Sequence, residues 1–197
     1  MVLLLAVTFG LFAGLTLAFI QGRAYKIDGL RFTWLSMVAF LPQIIVLYMP
    51  STRKIISKEV TAAILIGSLA TLLVFTWLNR KLPGMRVLSL GLVLNLIVIL
   101  ANGGFMPINP ETIEEALPAA SNRYQLKVGE RFGAKDILLT KDETKLEWLA
   151  DRYLMPSWFP FQAAFSIGDI IIALGIFWLL VQANSGSCTF EKELQPL

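Results

Sequence analysis

Histidine is absent from the 197 residues, and cysteine occurs once, at Cys188. Without imidazole the commonest metal ligand and the usual general base are missing, and with them His-ligated haem, bacteriochlorophyll or zinc. A lone cysteine in a polar C-terminal stretch forms neither an intrachain disulfide nor a thiolate cluster. No redox or metal cofactor is expected. Charge is scarce as well: 16% of residues are Asp, Glu, Lys or Arg, against about 25% in a soluble domain. Most of the charges lie between residues 105 and 160, leaving long stretches with almost none. The net charge of +3 reflects loop lysines and arginines and does not imply nucleic-acid binding. A P-loop, a GxGxxG turn, HExxH, GxSxG and metal-spaced cysteines are all missing. No internal repeat points to an inverted-repeat transporter.

What the chain has instead is apolar length, with 56% hydrophobic residues. Five spans can be drawn: Val2–Ile20, Phe32–Met49 interrupted by Pro42 and Gln43, Val60–Leu78, Val87 to about Gly103, and Phe161 to Ala183. Each is near the roughly 20 residues that cross a 30 Å hydrocarbon core. None alternates as a barrel strand would, so the expected fold is an all-α polytopic membrane protein with five transmembrane helices. The first run lacks a basic n-region and an A-x-A site and reads as a retained helix, not a signal peptide. Gly10 and Gly14 give it GxxxG spacing, which lets another helix approach closely. Membrane lipids are the implied surroundings.

Arg23, Lys26 and Arg31 in the first loop, Arg80, Lys81 and Arg86 in the third, and Lys192 in the tail outnumber Arg53, Lys54 and Lys58 in the second. Positive residues favour the inside. The expected protein therefore sits in the cell membrane with its N-terminus and residues 105–160 outside and its C-terminus cytoplasmic. Residues 1–104 would form a four-helix membrane region and 105–160 an extracytoplasmic cap. The fifth helix would occupy 161–184, and 185–197 would be a disordered tail. In the cap, Asn109-Pro110-Glu111 opens a short helix with a capping residue, proline at the first helical position and an acid in the first turn. Thr140-Lys141-Asp142-Glu143 makes a capping box. It predicts an amphipathic helix with Leu146, Leu149, Ala150, Tyr153 and Leu154 on one face, ended by Pro156 and Pro160.

The acids near the last span carry the functional expectation. An ionisable residue in a spanning helix costs roughly 2.5–3.5 kcal/mol and marks a functional site by default. If the fifth helix enters the apolar layer near Phe161, a 1.5 Å rise per residue puts Asp169 about 12 Å below that point. It then faces an outward-opening cavity, or it is a structural acid hydrogen-bonded by backbone or by an asparagine such as Asn102. Asp151 falls near Glu147 on the wheel, away from the apolar face, which reads as a solvated residue. Alternatively the helix ends early and residues 152–160, reaching up to about 30 Å, carry Asp151 back over the mouth. Asn102 is a C-terminal cap before Gly103 and Gly104, or a donor to Asp169. Asn95 and Gln43 are buried amides expected to bond across helices.

The basic Arg80-Lys81-Leu82-Pro83-Gly84 hairpin, Leu94-Asn95 leading to Asn102-Gly103-Gly104 and Met106-Pro107, and Leu149-x-Asp151 ahead of Phe165-Ser166-Ile167-Gly168-Asp169 and Gly175 form a recognisable series. Together they resemble a bacterial family of small integral membrane proteins catalogued as domain-of-unknown-function family 5317. That resemblance covers nearly the whole chain and implies no particular activity. Over the C-terminal third, Asp151-Arg152 and then Phe165-Ser166-Ile167-Gly168-Asp169 are similar to the lipoprotein signal peptidases, membrane-embedded aspartyl proteases. That likeness implies an Asp151/Asp169 dyad sharing a proton, one carboxyl activating water and the other protonating the leaving amine. Three readings therefore stand open. They are a binding or accessory component with a polar site of Asp169, Asn102, Asn95, Ser166, Gln43 and Arg152, an aspartyl hydrolase of a lipid-linked or peptide substrate, and a structural subunit docked on other membrane subunits.

Overall fold

The computed structural model describes residues 2–45, 56–116, 127–133, 135–156, 158–159 and 162–182. The chain is mostly helical, and apolar length explains the main helices. Helix α1 (Val2–Ile20) and helix α3 (Lys58–Leu78) are long and apolar enough to cross a membrane. Helices α2 (Trp34–Gln43), α4 (Met85–Ala101) and α6 (Ile167–Val181) are apolar but shorter. A span through Met49 was expected for α2, but residues 46–49 lie outside the described residues, as does the tail with Cys188. The last helix begins at Ile167, not near Phe161. Residues 164 and 165 are instead taken into a strand, which moves Asp169 from about 12 Å along the expected helix to the first turn.

The five apolar helices stand side by side in the order α1–α6–α4–α3–α2, each contacting chiefly its neighbours. Small residues set the closeness of that row. In α1 only Gly10, Gly14 and Ala18 are buried, and a Cβ at Gly14 would meet the Leu180 carbonyl oxygen at 2.5 Å and the Tyr25 ring at 2.7 Å. The GxxxG spacing thus finds its partner in α6, while Phe9, Phe12 and Phe19 point outward. The α4–α6 seam is equally close: a Cβ on Gly91 would stand 2.7 Å from the Ile172 nitrogen, and one on Gly175 would stand 2.6 Å from the Leu88 nitrogen. Between α3 and α4, Ser89 Oγ donates to Thr76 Oγ1 at 2.7 Å. Packing of this kind uses close backbones and hydroxyls where hydrophobic contrast between helices is weak.

Both basic connections lie at one end of the row. The Arg31 N–H donates to Asn79 Oδ1 at 2.8 Å, and Asn79 Nδ2 donates back to the Arg31 carbonyl at 2.9 Å, pinning the first loop to the α3–α4 hairpin. Tyr25 Oη donates to the Leu180 carbonyl at 3.0 Å. At the opposite end α4 closes on Asn102, whose turn through Gly103 and Gly104 (φ 75° and 90°) lets the Gly104 N–H reach the Ile99 carbonyl at 2.8 Å. That pattern satisfies a helix C-terminus and delivers the chain directly into a small cap.

The cap contains strands as well as the expected short helix. Strand β1 (Met106–Ile108) pairs in parallel with β3 (Asp136–Leu138), which also pairs antiparallel with β2 (Arg131–Phe132). On the other edge of β1, Ile108 bridges to Asp151. Helix α5 (Pro110–Ala116) follows β1, with the Glu111 N–H donating to Asn109 Oδ1 at 3.1 Å. Ile108, Ile113 and Leu138 form the cap core. The amphipathic helix predicted from Thr140 does not form. A single turn at 140–144 is followed by Leu146 at φ 56°, a 3-10 turn (Glu147–Leu149), and strand β4 (Tyr153–Leu154). Tertiary pairing overrides the helical pattern: the Asp151 N–H donates to the Pro107 carbonyl at 3.2 Å, and β4 pairs antiparallel with β5 (Ala164–Phe165) through Tyr153 and Phe165. Leu149 packs with Val98, Ile99 and Met106 where cap meets helices.

Candidate functional site

The site forms where three chain segments converge on the heads of α4 and α6. Lys135 immediately precedes β3, and its carbonyl accepts from the Met106 N–H at 2.9 Å. That bond ties it to the strand leaving α4. Asp151 is held on the opposite edge of β1 by its backbone bond to Pro107. The β4–β5 pairing then returns the chain to Ser166 and α6. Ser166 caps the helix: its Oγ accepts from the Asp169 N–H at 3.1 Å, and the Asp169 carboxylate accepts from the Ser166 N–H at 3.5 Å. This capping box orients Asp169 toward the cap.

Lys135 Nζ lies 2.9 Å from Asp151 Oδ2 and 3.5 Å from Asp169 Oδ2. The two carboxylate oxygens therefore stand within the sum of those lengths of each other, with an ammonium against both. Asn95 Nδ2 donates to Asp169 Oδ1 at 2.8 Å, and Ser166 Oγ donates to Asn95 Oδ1 at 3.1 Å. Side-chain exposure falls from 36% at Lys135 to 15% at Asp169 and 2% at Asp151. Burial raises the Asp151 carboxyl although Lys135 draws it down. Burial alone would lower the Lys135 ammonium, but Asp151, Asp169 and Asp136 outweigh it and hold it well above the ordinary lysine range. Neighbouring Asp136 is pushed up to about 8, by burial first and then by the other two carboxylates against the pull of Lys135.

The structure thus brings together Asp151, Asp169, Asn95 and Ser166 from the sequence expectations and leaves three residues apart. Asn102 does not donate to Asp169. Its Nδ2 donates to the Val98 and Lys145 carbonyls at 2.9 Å each, and its Oδ1 accepts from the Lys145 N–H at 2.9 Å. It is the helix cap and ties the cap loop to α4. Arg152 is exposed and pairs with Glu147 at 3.2 Å. Gln43 is half-buried at the end of α2 and takes no part in the cluster. The solvated reading of Asp151 is overturned, because strand pairing turns it inward. Lys135 and Asp136 were missed, lying unmarked in a polar run. The one available signal was the rule that a buried carboxylate needs a cation, which does not choose among the cap's lysines and arginines.

Above the cluster, between α5 and residues 141–152, lies a cleft of about 200 Å³ bordered by Glu111, Glu115, Lys141, Glu147, Asp151 and Arg152. Lys141 Nζ and Glu111 Oε2 meet at 2.7 Å at its edge. Asp151 belongs to both features, lining the cleft and pairing with Lys135 below.

No curated protein and no solved structure matches the chain, so the likeness to lipoprotein signal peptidases finds no support there. A family model does match, over residues 29–181, which takes in helices α2 to α6 and the entire Lys135–Asp151–Asp169 cluster. The chain belongs to the family described as "Family of unknown function (DUF5317)".

Proposed function

We propose that the chain is a five-helix protein of the cell membrane whose extracytoplasmic cap binds a ligand or partner in the cleft over Asp151, as a binding or accessory component. In this reading α1, the segment opened by α2, α3, α4 and α6 each cross the membrane. The observation that carries it is the single lysine contacting one carboxylate in the cap and another at the head of α6. A buried ion pair is a poor stability device, since apolar replacement is often neutral or better. A charged cluster placed where apolar helices meet a polar cleft is better accounted for by a task there. The pairing of both basic connections at the far end of the row supports a cytoplasmic position for that end.

Labelling of Asp142→Cys in a Cys188→Ser background, in intact cells, tests the topology. Modification by an impermeant maleimide is expected, and protection until lysis would refute the orientation. For the binding role, protein purified in mild detergent is compared by native mass spectrometry with Glu115→Gln and Asp151→Asn variants. A bound species retained by the parent and lost by both, with folding intact, is the expected result. Identical spectra would remove the cleft from consideration.

Hydrolysis is the second reading, favoured by the placement of Asp151 and Asp169 against a common atom. Lys135 Nζ stands where an attacking water would be held, so that chemistry needs the ammonium to withdraw. Loss of cleavage of a lipid-anchored peptide in both Asp151→Asn and Asp169→Asn, beside an active parent, would establish it.

A further inference from the structure

One lysine faces three carboxylates in this cluster, and they are not equally satisfied. Asp169 accepts from Asn95, from the Ser166 N–H and from Lys135. Asp151 gives one oxygen to Lys135, but its Oδ1 is buried and receives no donor, in a side chain only 2% exposed. Asp136 Oδ1 is likewise buried without a donor, and the Asp136 and Asp151 carboxyls lie close enough to shift each other's proton affinity. Two ionised carboxyls have only lone pairs to offer one another. Their contact becomes favourable when a proton lies between them, which also supplies the missing donor.

We propose that the cap–helix junction is a proton-binding site, in which Asp136 and Asp151 share one proton beside the Lys135 ammonium and the ionised Asp169. The elevated Asp136 carboxyl agrees with this placement. On the cleft side, Glu111 and Glu115 of α5 and Lys141, Glu147 and Arg152 border Asp151. Lys135 and Asp136 come from the start of β3, Asp151 from the edge of β1, and Asp169 from α6. Helix α4 adds only the neutral Asn95. Arg131 of β2 donates from Nη1 to Thr61 Oγ1 at 3.0 Å, with its guanidinium over the Phe105 ring. Loss of the proton leaves three anions on one cation and sets Asp136 of β3 against Asp151 on the far edge of β1. Docking of the cap on the helices is therefore linked to the pH of the solution bathing it. This inference stands on the cluster alone, whether or not the cleft takes a ligand.

Infrared spectroscopy of the full chain in detergent tests it. The carbonyl stretch of a protonated carboxyl is expected at neutral pH, shifted in deuterium oxide and lost as pH rises through about 8. Asp136→Asn should remove the whole band, whereas Asp142→Asn, on the exposed turn, should leave it intact. Lys135→Met should move the loss to higher pH, because removing the cation strengthens proton binding. Absence of the band from the parent at neutral pH overturns the proposal. So does a band that survives unchanged in both Asp136→Asn and Asp151→Asn. If these variants fail to fold, the parent titration decides alone.

Discussion

Asn95 and Asp169, 74 residues apart, are joined at 2.8 Å across the α4–α6 seam, and Ser166 completes the chain by donating to the same amide at 3.1 Å. The amide is thereby fixed in one orientation, with nitrogen toward the carboxylate and oxygen toward the hydroxyl. Asn95→Leu would strip a donor from Asp169 and an acceptor from Ser166, both at the cap–helix junction. An unsatisfied buried polar group costs about 1–3 kcal/mol. The variant should lower thermal stability in detergent by that order, and Asn95→Asp should be worse, since it sets a carboxyl against Asp169. Melting curves unchanged in both would show that the bond is incidental.

Gly168 lies directly beneath that amide. A Cβ there would overlap Asn95 Oδ1 and crowd the Gly91 carbonyl at 3.1 Å. Gly168→Ala should therefore part α4 from α6, with an overpacking cost of about 1–3 kcal/mol. Gly67 in α3 has open space around it, so Gly67→Ala should be neutral or stabilise by up to about 1 kcal/mol through helix propensity. The contrast in melting temperature between the two checks the seam. Equal effects would contradict it.

Removing the Lys135 ammonium leaves two neighbouring carboxylates without their common cation. Breaking a fully buried pair costs about 3–5 kcal/mol. Lys135 is 36% exposed, so solvent screening reduces the expected loss for Lys135→Met to about 1–3 kcal/mol. Arg152→Met breaks the exposed pair with Glu147 and should cost no more than about 1 kcal/mol. Denaturation of the two variants side by side measures the difference, and a reversed order would deny Lys135 its bridging role.

Stability should also depend on pH in a defined direction. The Asp136 carboxyl rises from 3.8 to about 8 on folding, so between those values the folded chain holds a proton that the unfolded chain has released. Stability then falls as pH rises across that window and levels above it. Lys135 is raised as well; its contribution is complete below the ordinary lysine range and disappears only above it. Protease resistance of the cap, followed from weakly acidic to weakly alkaline pH, should decline in the parent. In Asp136→Asn it should be flatter.

Apolar length made α1, α3 and α4 legible in the sequence, and proline, asparagine and glycine at their ends made the turns legible too. Asn95 was readable as a cross-helix amide for the same reason: nothing else in lipid could satisfy it. The cap was not. Its strands are two or three residues long, below any length at which alternation can be seen, and they are defined by partners distant in sequence. The helical spacing from Leu146 to Leu154 was real but yielded to the pairing of β4 with β5. That same pairing shortened α6 and brought Asp151 and Asp169 together. Lys135 carried no local mark, since its importance comes entirely from what β1 and β3 place beside it.

A single file of helices comes apart from its two flanks. Force applied to the N-terminus should peel the glycine-lined face of α1 from α6 first, and tension on the other flank should strip α2 from α3. The α4–α6 pair is interior to the file, with neighbours on both sides, and it should be among the last to separate. The carboxylate–lysine cluster is mounted on that pair, so it should outlast the loss of either outer helix, and single-molecule pulling would record it as a late, high-force step.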